Sequence, residues 1–255
     1  MITTYLQLTQ QMLADLRQEA YNPAFLKNYI NIARGQLAGE ARCIRVLATI
    51  STGIGQRNYN FSALNVSLAS GVQGVIDIRS IRYTVGQGYK WIAPRSWPWY
   101  ELYHLNNPVP VPGAPTSWAQ YGQGSAGLGA ITGQGKGFQS TGSFFIDPIP
   151  DAIYPLVCDC VCYPIALVVD TDVEAIPYLW TDAVPFYAVY YALLSSGLTQ
   201  RMADADRYFN YYKTFVQRAR DVATPDVLKY QYEQVPDPTA LGQMGLSPPR
   251  GGATQ

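Results

Sequence analysis

Charge of one sign, histidine and long apolar runs are what this sequence has least of, and each shortage removes a class of function. Lysine and arginine together number 18, aspartate and glutamate also 18, so the formal net charge is zero. A protein that wraps nucleic acid by charge carries a basic excess, because neutralised phosphates supply most non-specific affinity. No such excess exists here. The one histidine, His104, sits in Tyr103-His104-Leu105, with no Gly-x-Ser-x-Gly nucleophile motif in the chain. A Ser–His–acid or Cys–His relay would have to use it, and the aromatic surroundings favour a structural role. The apolar stretch 164–169 is far too short to span a membrane. The first residues, Thr3, Thr4 and Tyr5, lead straight into an amphipathic pattern without a basic leader, apolar core and small-residue cleavage site, so no secretory signal is expected.

Cysteine is scarce too: Cys43, Cys158, Cys160 and Cys162. The last three alternate, so on a strand all three thiols share one face. Neighbours on one extended strand seldom converge on a tetrahedral ion, and no nearby histidine completes a ligand set. They read as small core residues of a protein kept in a reducing cytoplasm.

What the chain has in quantity is aromatic surface, with 20 tyrosines against 8 phenylalanines in 255 residues. Tyrosine joins an apolar body to a polar tip, which suits surfaces buried against another subunit. It is equally at home in strands, and composition does not separate the two readings.

Apolar residues at Tyr5, Leu8, Met12, Leu16 and Ala20 predict a helix from Thr4, with Thr4 and Gln7 as a capping box. Asn22-Pro23 restarts the chain as N-cap and first helical residue, and Leu26, Tyr29, Ile30, Ala33 and Leu37 form the stripe of a second helix. Gly35 and Gly39, four apart, are expected to let another helix approach closely. From Ile44 the period falls to two, and 44–50, 59–61, 75–85, 89–92, 118–121, 144–146 and 154–163 read as strands. Between them, 96–106 predicts a short helix with Ser96 as cap and Pro98 in its first turn. Leu179, Ala183, Phe186, Tyr187, Tyr190 and Leu194 predict a buried central helix, and 202–219 an amphipathic last one. Beyond Ala223 the chain turns rich in Pro, Gly and Gln without periodicity, which predicts an extended arm.

Three patterns resemble binding motifs and fail on their mechanics. Gly122-Gln123-Gly124-Ser125-Ala126-Gly127 matches the dinucleotide fingerprint, but the glycines that follow cannot hold the helix whose N-terminus must face a pyrophosphate. Gly135-Lys136-Gly137 lacks both the upstream glycine and the hydroxyl of a P-loop. Asp170, Asp172 and Glu174 alternate like a calcium loop, yet the glycine and distant glutamate are out of register, so they mark a solvated linker. No catalytic, cofactor-binding or metal-binding residue is assigned.

The expected class is α+β: a helical bundle made by N- and C-terminal helix pairs, with an inserted antiparallel β domain and an extended C-terminal arm. The first helix pair covers 1–43, the β domain 44–165 with a glycine-rich loop at 122–142, the C-terminal helices 166–222 and the arm 223–255.

Five stretches, taken in order, resemble one known family. They are Phe25-Leu26-Lys27-Asn28-Tyr29-Ile30-Asn31-Ile32-Ala33-Arg34; the turn Gly55-Gln56-Arg57-Asn58-Tyr59; Asp147-Pro148-Ile149-Pro150-Asp151 followed by Tyr154; Tyr163-Pro164 on to Ile176-Pro177; and the helix at Tyr187-Ala188. Together they span most of 3–222, and the chain is similar in their order to the head-to-tail adaptors (connectors) of tailed bacteriophages. The glycine-rich loop and the Cys-x-Cys-x-Cys strand are not part of that pattern. The resemblance implies a structural virion protein without enzymatic activity or cofactor. It implies a homo-oligomeric ring, commonly a dodecamer, beneath the portal protein in the neck and above a tail nozzle or tail tube protein. The ring would be assembled in the host cytoplasm and would pass DNA through its channel without sequence-specific binding or a membrane. The alternative is a tail-associated β-rich binding module that contacts a glycan or receptor through Trp91, Trp97, Trp99 and Trp118.

Overall fold

A computed structural model of the chain describes residues 1–16, 22–66, 71–85, 88–106, 111–121, 142–196 and 201–223. The glycine-rich loop at 122–141 and the arm from 224 lie outside the described residues.

Helix α1 spans Ile2–Asp15 and α2 spans Pro23–Ala41. The second begins as its sequence predicts: Pro23 is the first helical residue, and the Ala24 amide donates to Asn22 Oδ1 at 2.9 Å. The first does not use Thr4 as its cap, since it starts two residues earlier without a side-chain cap. On α2 the predicted stripe is buried at Leu26, Ile30, Ala33 and Leu37. Each full burial of such a leucine or isoleucine contributes about 1.5–3 kcal/mol.

The strands are β1 (Arg45–Ser51), β2 (Asn58–Asn60), β3 (Val72–Val85), β4 (Gly88–Arg95), β5 (Ser117–Tyr121), β6 (Ser143–Asp147) and β7 (Pro155–Pro164), with α3 (Trp97–Asn106) between β4 and β5. They form one seven-stranded sheet in the order β1-β7-β3-β4-β5-β6-β2. Every pair is antiparallel except β4 and β5, which run parallel. Register shifts at three places in β3 increase its twist and help the sheet curl. Beyond β2 the chain returns to β1, where Thr49 and Asn65 exchange both backbone hydrogen bonds. The edges of the curled sheet are thereby brought together. Two more helices follow among the described residues, α4 (Ala183–Ser195) and α5 (Met202–Ala223).

The expected architecture of a helical bundle with an inserted antiparallel β domain is not what forms. The sheet is mixed, and helices and sheet share one hydrophobic core. Ile30, Leu37, Ala41, Ala188 and Tyr212 of the helices belong to the same buried cluster as Cys160, Ile81, Trp118 and Phe144 of the strands. Only a smaller cluster around Leu13, Leu26, Val189 and Leu193 is helical alone. The physical reason is the sheet's inner face. Ala48, Ile78, Ile81, Ile92, Cys158 and Cys160 leave it apolar across four neighbouring strands, and the helices are what cover its open end. Gly39 accordingly faces the ring of Tyr163 on β7, not another helix.

The helices meet the sheet where β3 begins and β7 ends. There Val72 pairs with Pro164, the Cys162 amide donates to Ile44 O, and the Ile165 amide donates to Gly71 O at 2.7 Å. At the other end of β3, Tyr83 pairs with Leu156, and Val85 with Gly88 of β4.

Candidate assembly surfaces

Strand register divides the side chains of the sheet into two sets. Ala48, Cys158, Ile81 and Ile92 stand opposite one another and point inward, all buried. Thr49, Val157, Arg82 and Trp91 form the neighbouring cross-strand row, and by the two-residue alternation they point outward together with Leu47 and Tyr89. Leu47 is 59%, Tyr89 61% and Trp91 60% exposed. The Arg82 guanidinium lies 4.6 Å from the Tyr89 ring centroid and 5.5 Å from that of Trp91. Such cation–π contacts contribute about 0.5–1 kcal/mol at exposed sites.

The same face continues through Ala93 and Arg95, which pair with Ser117 and Ala119 of β5. Here α3 lies on it. Trp97 packs 4.5 Å from Tyr121 and 4.9 Å from Phe145, and buried Tyr100 packs 5.5 Å from Phe145. That leaves Trp99, Leu102 and Tyr103 pointing out. Trp99 and Tyr103 stack at 5.1 Å, and Arg95 sits 4.8 Å over Trp99. One outer surface therefore carries two arginine–aromatic stacks. Among the described residues, neither Arg82 nor Arg95 has a carboxylate partner.

A second surface is built by 165–182, an extended segment with a single 3-10 turn at Tyr178–Trp180. Its inner side is fixed to α1 and α2. The Leu167 amide donates to Asn31 Oδ1 at 2.8 Å, and Asn31 Nδ2 donates back to Leu167 O. Wholly buried Arg34 donates to Ile165 O and to both oxygens of Glu174, which also accepts from Tyr5 Oη and the Ile176 amide. The linker reading of Glu174 is thus corrected: its side chain is 7% exposed and held by Arg34, Tyr5 and the Ile176 amide. Asp170 accepts from the Thr3 amide and the terminal amine, and Asp172 from the Val168 and Val169 amides. These bonds hold both carboxyls below the usual carboxylate range. The outer side of the segment shows Val168, Val169, Val173, Tyr178 and Leu179, the last two 84% and 71% exposed.

The residues singled out for chemistry do not assemble. His104 Nε2 is 3.4 Å from Asp147 Oδ1, and neither ring nitrogen makes a hydrogen bond. Burial and the Arg57 guanidinium push the imidazole below its ordinary value, while Asp147 pulls the other way. No nucleophile joins them. The four cysteines are buried free thiols. Among the described residues no group of three or more His, Cys, Asp or Glu is placed to hold a metal ion, and no helix is long and apolar enough to cross a membrane. Of the tryptophans named for glycan contact, Trp118 is buried and Trp97 half-buried, leaving Trp91 and Trp99. What the sequence reading missed is Arg82. Its two-residue alternation with Ser80 and Thr84 was visible, but its placement between Tyr89 and Trp91 depends on the hairpin register.

No protein-family model matches the chain, and no curated protein matches its sequence at a significant level.

Proposed function

We propose that the chain is a structural, non-enzymatic subunit of a tailed-phage virion, a head-to-tail adaptor that forms a ring between the portal and the tail. The observation that carries this reading is how the resembling stretches meet. Asn31 and Arg34, in the first, hold the fourth through Ile165, Leu167 and Glu174. The second and third are joined likewise: the Gly55 amide donates to Pro150 O at 2.9 Å, and just before that turn the Thr52 amide donates to Tyr154 O at 3.0 Å. These bonds make neighbours in space of stretches that lie about a hundred residues apart in sequence. Here they form two pins, one at the helical end and one at the sheet.

The exposed aromatic surfaces fit an assembly role, since contiguous apolar patches on a soluble chain mark places where another molecule sits. The test is to mix the purified chain with candidate portal rings and image the product by negative-stain microscopy. A ring of density below the portal is expected; a chain that leaves every such portal bare removes the reading. Loss of residues 223–255 should weaken docking, and normal tail attachment by that truncation would remove the arm's share in it.

A second reading keeps one observation of its own. Tyr89, Trp91, Trp99 and Tyr103 present ring faces to solvent, as glycan-binding surfaces do. A glycan screen with a hit lost in Trp91→Ala would favour a tail-associated binding module.

A further inference from the structure

We propose that the outer sheet surface of one copy receives the 168–182 ridge of a second copy, giving a head-to-tail contact that repeats around the assembly. This deepens the adaptor reading, on which it rests for the closed ring alone.

The two surfaces are complementary in charge. The sheet surface offers Arg82 and Arg95, both stacked on aromatic rings and both without a carboxylate partner among the described residues. Of the strand carboxylates in its outward rows, Asp159 is already joined to Arg45 and Asp77 to Arg42, and Glu101 lies on α3. The ridge carries Asp170, Asp172 and Asp182. The terminal amine offsets the first, the second stays ionised because two amides donate to it, and Asp182 caps α4 without a side-chain hydrogen bond. Opposite charges at the rim raise the rate of encounter and fix its orientation.

The two surfaces are complementary in kind as well. Tyr89, Trp91 and Trp99 are broad rings, whereas Val168, Val169, Val173 and Leu179 are compact aliphatic side chains able to lie across them. Interface cores are enriched in aromatic residues and arginine, and the sheet surface has that composition.

Position separates the two surfaces within one copy. The ridge starts beside Gly71 and Val72, and the stacked Arg82 is ten residues along β3, about 30 Å away. Both surfaces are fixed, one by sheet register and the other by Arg34 and Asn31. A contact between unlike surfaces on rigid copies is heterologous, and it closes into a ring when the rotation divides the circle.

The test uses the full chain in two variants, each altered on one surface. Arg82→Glu with Trp91→Ala changes the sheet side, and Tyr178→Ala with Asp182→Arg changes the ridge. Arg95→Glu with Trp99→Ala is a second sheet-side variant. All these residues lie at the surface or half-buried, and circular dichroism checks that the variants fold. Sedimentation velocity up to millimolar concentration should show wild-type self-association that each variant weakens about tenfold or more. An equimolar mixture of one sheet-side and one ridge variant should then give a dimer and nothing larger, because each retains the half the other lacks. Variants that associate like wild type, a mixture that stays monomeric, or a wild-type chain that stays monomeric throughout would each overturn the proposal. Association that obeys this pattern, in a chain that binds no portal, supports the contact and sinks the adaptor reading alone.

Discussion

Arg34 on α2 and Glu174 on the segment before α4 form a two-point ion pair 140 residues apart in sequence, with Nε to Oε2 at 2.9 Å and Nη2 to Oε1 at 2.8 Å. Their side chains are 1% and 7% exposed; Arg34 also donates to Asn31 and Ile165 O, and Glu174 also accepts from Tyr5 and the Ile176 amide. A buried, well-bonded pair adds little over an apolar replacement, but removing one partner strands the other charge. Glu174→Gln should therefore cost about 3–5 kcal/mol in urea unfolding. Arg34→Met combined with Glu174→Leu should cost less than Glu174→Gln alone. If the double variant were the less stable of the two, the stranded-charge account would be wrong.

Tyr59 closes the turn before β2 from the inside. Its hydroxyl donates to Gln56 O at 2.8 Å and accepts from the Gly53 amide at 3.1 Å, while its ring stacks on Phe144 at 5.4 Å. Tyr59→Phe keeps the ring and leaves the Gly53 amide without its bond. The expected loss is about 1–3 kcal/mol, read as a lower urea midpoint at unchanged slope. An unchanged midpoint would mean that water replaces the hydroxyl at no cost.

That turn was legible in sequence, and so was most of the local structure. Asn22-Pro23, Pro98 and the alternation of Cys158, Cys160 and Cys162 each announce their conformation through the residue itself. What stayed hidden was set by partners far along the chain. Nothing local to Arg45–Ser51 says that it pairs with β7, more than a hundred residues away, or that β5 runs parallel to β4. Glu174 looked solvated because its alternation with Asp170 and Asp172 is the same whether or not an arginine waits inside. The shared core, which replaced the expected bundle with its insert, follows from those long-range pairings. The outer surface was half-legible: Trp91 and Trp99 stood out, while Arg82 became part of the site only through register.

The cysteines offer a test of that shared core. Burial pushes the Cys43 thiol up to about 11 and those of Cys158 and Cys162 to about 12, and Cys160 is raised as well. The thiolate is the reactive form, so near pH 8 the folded chain should react with an aromatic disulfide reagent only through opening. All four thiols should then be slow in buffer and fast in urea. A single thiol reacting at once in the folded chain would show that its part of the core is open to solvent.

His104 gives the pH dependence its sign. Its folded value is lowered, first by burial and then by Arg57, so the fold prefers the neutral ring. The unfolded chain, titrating near the ordinary value of about 6.5, binds the proton more readily. By linkage, stability rises with pH wherever the unfolded state holds more protons. The contribution of His104 is thus fully present above about pH 6.5 and is lost as pH falls from there toward the lower folded value. Because it is the single histidine, its ring protons give an unobstructed NMR titration, expected at a midpoint below that of a short peptide. His104→Asn, which cannot take up the proton, should flatten the slope of stability between pH values just above and just below 6.5, about where only histidine titrates. Protonation also makes a true ion pair with Asp147 at 3.4 Å, which works in the opposite direction. A folded midpoint above the peptide value would mean that Asp147 outweighs burial and Arg57, and the slope would then reverse.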